Sequence, residues 1–176
     1  AGAGPVGCVS ALILARAGIS VCVLEAEADL IPELRASTFH PPTLDMLDKL
    51  GITPKLIEQG LITPKLQYRD LEEGFIAEFD HSLIRDHTDH PYRLQCEQFK
   101  LTRVVEDLLE EYSNAEILYS SKFVSASQTE DKVVISYDTS TGRNNIECDY
   151  LIGTDGSRSA VRKSQDIEFK GFTYPE

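Results

Sequence analysis

A chain of 176 residues sets the scale of one domain, or of one domain and part of a second. Its hydrophobic fraction of 41% suffices for a packed core, and its apolar runs fall far short of the roughly 18 residues a membrane-spanning helix needs. With 29 acidic against 17 basic residues, the net charge of −12 argues against a nucleic-acid footprint, which needs clustered cations, and disfavours an anionic membrane surface, though an acidic whole does not forbid a basic pocket.

The chain opens on Gly2-Ala3-Gly4-Pro5-Val6-Gly7, a Gly-x-Gly-x-x-Gly pattern that runs into an apolar segment. Residues 5–17 are predicted to form a helix apolar on nearly all sides, as expected of one buried between a sheet and other elements, with Gly18 as its C-terminal cap. In a dinucleotide-binding turn the first glycine makes the bend and the second lets the backbone close on a pyrophosphate. The third lets the helix pack on its strand, and free N–H groups at the helix start face the phosphates. The hexapeptide gains weight from a strand before it, a helix after it and an acid ending the next strand. The strand before it is missing, so the chain is expected to be a piece of a longer protein.

Ser20 to Leu24 is a short β-prone run, typical of a parallel strand buried on both faces. Glu25 ends it, 18 residues after Gly7. An acid at that place accepts hydrogen bonds from an adenosine ribose and selects against a 2′-phosphate. Residues 31–37 read as a loop carrying Arg35, and helices are predicted from Pro41 to Leu50 and from Thr53 to Gln59, each stopped by a glycine. Two short helices and an arginine loop depart from the plain nicotinamide Rossmann pattern, which would return promptly to a third parallel strand.

Residues 65–80 alternate weakly around Glu72-Glu73-Gly74, the signature of a hairpin. Residues 81–91 read as a polar loop whose histidines, His81, His87 and His90, are expected to be solvated, without metal-ligand spacing. Tyr92 to Gln95 suits a short strand, and Phe99 to Glu111 a helix with Leu101, Val104, Val105, Leu108 and Leu109 on one side. From Ala115 the period becomes two, through residues 116–119, 122–127, 132–137 and 145–152. An antiparallel meander closing into another central strand is expected there. The cysteines, Cys8, Cys22, Cys96 and Cys148, show no Cys-x-x-Cys spacing and are expected to be reduced, buried thiols of a cytoplasmic protein. Residues 1–17 lack a basic n-region and are not expected to be a signal peptide.

A second anchor follows the last strand: Gly153-Thr154-Asp155-Gly156-Ser157-Arg158-Ser159-Ala160-Val161-Arg162. A strand running into Asp-Gly and then a helix places a carboxylate at the sheet edge where open α/β folds bind ligands. Alone, this is an ordinary Asp-Gly turn. Together with the opening turn, Glu25, Arg35 and Gln98, in that order, it resembles the FAD-dependent aromatic-ring monooxygenases. These are the p-hydroxybenzoate hydroxylase-like group, or class A flavoprotein monooxygenases. The likeness covers essentially the whole chain. The stretch from Arg35 to Gly51 looks like the single-chain phenol and phenylpropionate hydroxylase-like members.

The resemblance implies an α/β, Rossmann-like FAD-binding domain with a parallel sheet and an antiparallel meander, incomplete at both ends. Residues 1–176 would form the FAD-binding fragment, with about 65–97 as candidates for part of the substrate domain. It implies that Gly2, Gly4, Pro5 and Gly7 hold the FAD pyrophosphate and Glu25 the adenosine ribose. Arg35 would contact the diphosphate and ribityl region, where a guanidinium binds phosphate oxygens bidentately. Gln98, with Gln95 as the near alternative, would meet the flavin side chain. The Val124 backbone would touch the adenine. Asp155 would help bind FAD and shape the NAD(P)H surface, supported by Arg162. The implied reaction is NAD(P)H-dependent hydroxylation of a small aromatic, phenolic substrate by O₂ through a flavin C4a-hydroperoxide. No catalytic residue follows: Tyr68, Tyr92 and the histidines are candidates by residue type only. An epoxidase, halogenase or dehydrogenase of the same fold, an NAD-binding dehydrogenase, and an inactive fragment remain open as alternatives.

Overall fold

Helix α1 (Pro5–Arg16) follows directly from its ends. Pro5 stands at a first helical position, where its missing N–H costs nothing and its fixed φ suits the helix. At the other end Gly18, at φ +75°, donates to the Ala15 carbonyl at 3.0 Å, and Ile19 to Leu14 at 3.0 Å. That paired closure stops the helix through a left-handed residue. Only one face is buried: Cys8, Ala11, Leu12 and Ala15, at helical spacing, while Val6 and Ile13 are exposed. Burial between a sheet and other elements is expected from the composition; among the apolar residues of α1, Val6 and Ile13 are left exposed. Strand β1 (Val21–Leu24) comes next.

The computed structural model describes residues 1–30, 32 and 36–175. They divide into two compact units, Ala1–Ile31 with Leu109–Glu176, and Pro32–Leu108. Among the described residues no helix is long and apolar enough to cross a membrane.

The second unit holds β2 (Thr38–Phe39), α2 (Pro41–Asp48), α3 (Thr53–Ile57), β3 (Leu61–Thr63), β4 (Lys65–Asp70), β5 (Gly74–Asp80), a 3₁₀ turn (His81–Ile84), β6 (Arg93–Gln95) and α4 (Gln98–Leu109). Strand β6 lies between β2 and β3, antiparallel to both, with Leu94 fully buried at its centre. The buried Thr53 hydroxyl donates to the Leu44 carbonyl at 2.7 Å and so ties α3 to α2. Strands β4 and β5 form the expected hairpin, its turn closed by the Asp70 carboxylate, which accepts from the Glu72 and Glu73 amides at 2.8 and 2.9 Å. His90 departs from the expected solvated loop: it is buried, with Nδ1 2.9 Å from the Tyr92 hydroxyl. A loop of polar composition still packs an imidazole inward when a neighbouring hydroxyl meets its nitrogen.

Back in the first unit stand β7 (Ala115–Leu118), β8 (Lys122–Gln128), β9 (Val133–Thr139), β10 (Gly142–Cys148) and α5 (Ala160–Ser164). Strands β8, β9 and β10 are the antiparallel meander, in order β10-β9-β8. Strand β7 is not its first member. It pairs parallel with β1, Val21 opposite Ala115 through Leu24 opposite Leu118. Four residues of alternation mark a strand but carry no information about its partner. Leu24, Phe123, Ile135 and Val161 form a buried cluster, so β1, β8, β9 and α5 share one core.

The expected last central strand is also modified, because β10 ends at Cys148. Beyond it, the Ala1 nitrogen donates to the Ile152 carbonyl at 2.7 Å, and Thr154 N–H donates back to the Ala1 carbonyl at 2.9 Å. That alternation is the pattern of parallel neighbours. On the other side Gly2 N–H reaches the Leu24 carbonyl at 2.8 Å. Ala1 and Gly2 therefore lie between the end of β1 and residues 152–154.

Candidate functional site

The opening turn is built from three glycines with three different reasons. Gly2 sits at φ +96°, and a Cβ there would come within 2.8 Å of the Thr154 carbonyl oxygen and 2.9 Å of the Asp155 Cα. The glycine turn and the Asp-Gly turn are therefore in direct contact. A Cβ on Gly7 would lie 1.9 Å from the Gly2 carbonyl oxygen, so α1 approaches the turn at a distance only glycine allows. Gly4 has ordinary extended angles, φ −67° and ψ 178°, and a Cβ there would meet no atom within 4 Å. Neither conformation nor packing within the chain requires a glycine at that place. Open space of this kind beside a helix start is the arrangement of a phosphate-binding turn, where the second glycine lets the backbone approach a pyrophosphate.

The helix start beside Gly4 has the matching chemistry. No side chain caps it and its first turn carries no acid. The Val6 and Gly7 amides have no carbonyl four residues back within the helix, and the positive end of the helix dipole faces the same place. Such an end accommodates a phosphate. From inside the helix, the Cys8 thiol donates to the Ala3 carbonyl at 3.1 Å and holds the loop down.

Glu25 is fixed at the carboxyl end of β1. Its N–H donates to the Leu118 carbonyl at 2.9 Å, and its carbonyl accepts from Ser121 N–H at 2.7 Å. Its carboxylate bends back to the glycine turn, Oε2 accepting from Ala3 N–H at 2.7 Å and Oε1 from Glu27 N–H at 3.0 Å. A carboxylate offers about four acceptor directions, and these two bonds occupy one on each oxygen.

Asp155 turns the other way, into the chain. Its Oδ1 accepts from the Ser159 hydroxyl, and Oδ2 accepts from Ala160 N–H at 2.6 Å and Val161 N–H at 3.1 Å. Ser159 in turn accepts from Arg162 N–H at 2.9 Å, which completes the cap of α5. Burial pushes the Asp155 carboxyl up, but the bonds from Ser159, Val161 and Ala160 outweigh it and leave the group below the ordinary aspartate range. Ionisation therefore favours folding: the contribution is full above the unfolded value of about 3.9 and is lost as pH falls through the lower folded value. Asp155→Asn is expected to cost about 1–2 kcal/mol at pH 7. In thermal unfolding run from pH 7 to pH 3, its deficit relative to the native protein should shrink below about pH 4. The Arg162 guanidinium donates to the Ile167 carbonyl at 2.5 Å and lies 5.3 Å over the Phe169 ring, so it braces the segment after α5.

The structure brings Gly2, Gly4, Pro5, Gly7, Glu25 and Asp155 around one turn. Val124, in the same unit, sits on β8 where the register with β9 shifts between Phe123 and Ser125. A bulge of that kind leaves one residue out of the ladder and its backbone open to another partner. Gln98 begins α4 in the second unit, its N–H donating to the Ala36 carbonyl at 2.8 Å. The alternative, Gln95, is exposed and accepts from the Thr38 hydroxyl at 3.3 Å. Arg35 lies outside the described residues. The residue that sequence reasoning passed over is Thr154. Its hydroxyl lies 2.8 Å from the Ala1 carbonyl oxygen and 2.9 Å from that of Gly2.

A buried strand end, a glycine turn, an uncapped helix start and an acid closing the next strand define an α/β dinucleotide-binding domain. A family model for the FAD binding domain matches residues 1–175, and the chain belongs to that family. It is 34% identical over 175 residues to para-nitrophenol 4-monooxygenase of Pseudomonas sp., covering 99% of this chain and 43% of that protein. It is 34% identical over 176 residues to 6-hydroxy-3-succinoylpyridine 3-monooxygenase of Pseudomonas putida, covering 99% and 45%. The crystal structure of p-nitrophenol 4-monooxygenase from Pseudomonas putida superposes with a TM-score of 0.95 at 32% identity, covering 98% of this chain and 44% of that one. The chain thus spans less than half the length of these relatives.

Proposed function

We propose that the protein carrying this chain is a cytoplasmic, NAD(P)H-dependent FAD monooxygenase that hydroxylates a small phenolic substrate with O₂. The observation that carries the cofactor part is Gly4, a glycine with open space around it at an uncapped helix start beside a fixed carboxylate, within a turn held by Gly2 and Gly7. The aromatic part is supported by likeness to enzymes named for p-nitrophenol and a hydroxypyridine. In this reading Gly2, Gly4, Pro5 and Gly7 shape the pyrophosphate site and Glu25 receives the adenosine ribose. The Val124 backbone meets the adenine. Arg35 and Gln98 serve the diphosphate, ribityl and flavin side, and residues of about 65–97 contribute to the substrate domain. Asp155 acts by holding the Asp-Gly turn against Gly2, beside the NAD(P)H surface. When bound, the flavin supplies the redox chemistry, accepting hydride from NAD(P)H and activating O₂, and the protein's part is to bind, orient and exclude water. One oxygen atom enters the ring C–H bond and the other leaves as water.

The test uses the full-length protein. It is expected to purify yellow, or to take up FAD with 1:1 stoichiometry, and to oxidise NADH or NADPH with formation of a hydroxylated product when a phenol is present. Colourless protein that takes up no FAD overturns the cofactor reading. Bound FAD with no phenol-dependent product overturns the reaction.

A further inference from the structure

The peptide plane between Gly2 and Ala3 is held at both ends. Its carbonyl accepts from the Thr154 hydroxyl at 2.9 Å, and its N–H donates to Glu25 Oε2 at 2.7 Å. The bond is trans, as are all described peptides, so the two groups point in opposite directions and a rotation of the plane breaks both contacts at once. The single Thr154 proton is shared with the Ala1 carbonyl at 2.8 Å, which locks the hydroxyl to the residues leading into the turn. Thr154 Oγ1 also lies 2.8 Å from where a Gly7 Cβ would stand, so the side chain fills the gap between the turn and α1.

We propose that Thr154 is a positioning residue for the cofactor: its hydroxyl fixes the Gly2–Ala3 peptide and, through the Ala3 amide, aims the Glu25 carboxylate at the adenosine ribose. The inference rests on the FAD reading of the turn and adds to it a lever in the Asp-Gly segment. Oε1 is tied to Glu27 N–H at 3.0 Å, so the Ala3 amide is the contact that settles the remaining rotation of the carboxylate. Loss of the hydroxyl leaves a half-buried carbonyl without its donor, which favours turning the plane toward another partner.

The test compares Thr154→Val, Thr154→Ala, Thr154→Ser and Glu25→Ala in the full-length apoprotein, titrated with FAD and with FAD whose adenosine ribose lacks the 2′-hydroxyl. The native protein should prefer FAD over the deoxy ligand. Thr154→Val is expected to weaken FAD binding about tenfold and to lose most of that preference, as Glu25→Ala does. Thr154→Ser, which keeps the donor, should stay within about threefold of native. Thr154→Ala reads the same effect if valine does not fit the gap. A purely structural role lowers affinity for both ligands equally and leaves the preference intact. That result, or a serine variant as weak as valine, overturns the proposal. A native protein that binds neither ligand overturns the cofactor reading itself and the proposal with it.

Discussion

Gly7→Ala is expected to leave little folded protein. Alanine in a helix interior ordinarily stabilises by about 1 kcal/mol over glycine, and Gly7 lies within α1 at its third residue. Here the sign reverses, because the new methyl group would lie 1.9 Å from the Gly2 carbonyl oxygen, 3.1 Å from its carbon and 2.8 Å from Thr154 Oγ1. The first two are backbone atoms held by β1 and by residues 152–154, so they cannot swing aside as a flexible side chain would. Relief requires lifting α1 off the turn. That movement breaks the Cys8–Ala3 contact and opens the face formed by Cys8, Ala11, Leu12 and Ala15. Overpacking costs about 1–3 kcal/mol where neighbours yield. Against backbone the loss should exceed about 4 kcal/mol, a large share of the roughly 5–15 kcal/mol that holds a domain together. Soluble yield, thermal unfolding and FAD uptake should fall together. A variant within about 1 kcal/mol of native stability would mean that the helix does not approach the turn this closely.

The sequence carried the parts of this site whose signal is local. The glycine spacing, the helix after it and the acid ending the next strand all lie within 25 residues, and each uses a residue type with few other uses at that place. The hairpin at 65–80 and the helix from Gln98 were legible for the same reason. What escaped was set by contacts between distant segments. Thr154 touches Gly2 across 152 positions, and its neighbours in the sequence say nothing of the carbonyl it meets. Strand β7 looks like the start of a meander, but its partner is β1, because burial against the core decides pairing over the order of the chain. The α1 composition is apolar on nearly all sides, yet Val6 and Ile13 are exposed. Asp155 was legible as a carboxylate at the sheet edge. That its oxygens serve the α5 cap depends on Ser159 and on the direction of a five-residue helix.

Gly4→Val separates the two kinds of glycine that one motif contains. The Gly4 backbone angles are open to any residue, and nothing stands within 4 Å of the added Cβ. The branch atom of a valine side chain therefore has room in the chain. Loss of glycine at a helix N-cap costs up to about 1 kcal/mol, while the lower entropy of the unfolded chain returns about 0.4–1 kcal/mol. Apoprotein stability should therefore stay within about 1 kcal/mol of native, in contrast to Gly7→Ala. FAD binding should not survive in the same way. An isopropyl group at Gly4 occupies the approach to the Val6 and Gly7 amides, so a pyrophosphate loses both its contact distance and the donors aimed at it. An affinity loss of about a hundredfold, or roughly 2.7 kcal/mol, is the expected size. Equilibrium titration of the apoprotein with FAD, beside thermal unfolding of the same sample, reads both quantities. A stable Gly4→Val protein with native FAD affinity would remove the phosphates from this turn. A destabilised one would show that the open space at Gly4 belongs to the fold and not to a ligand.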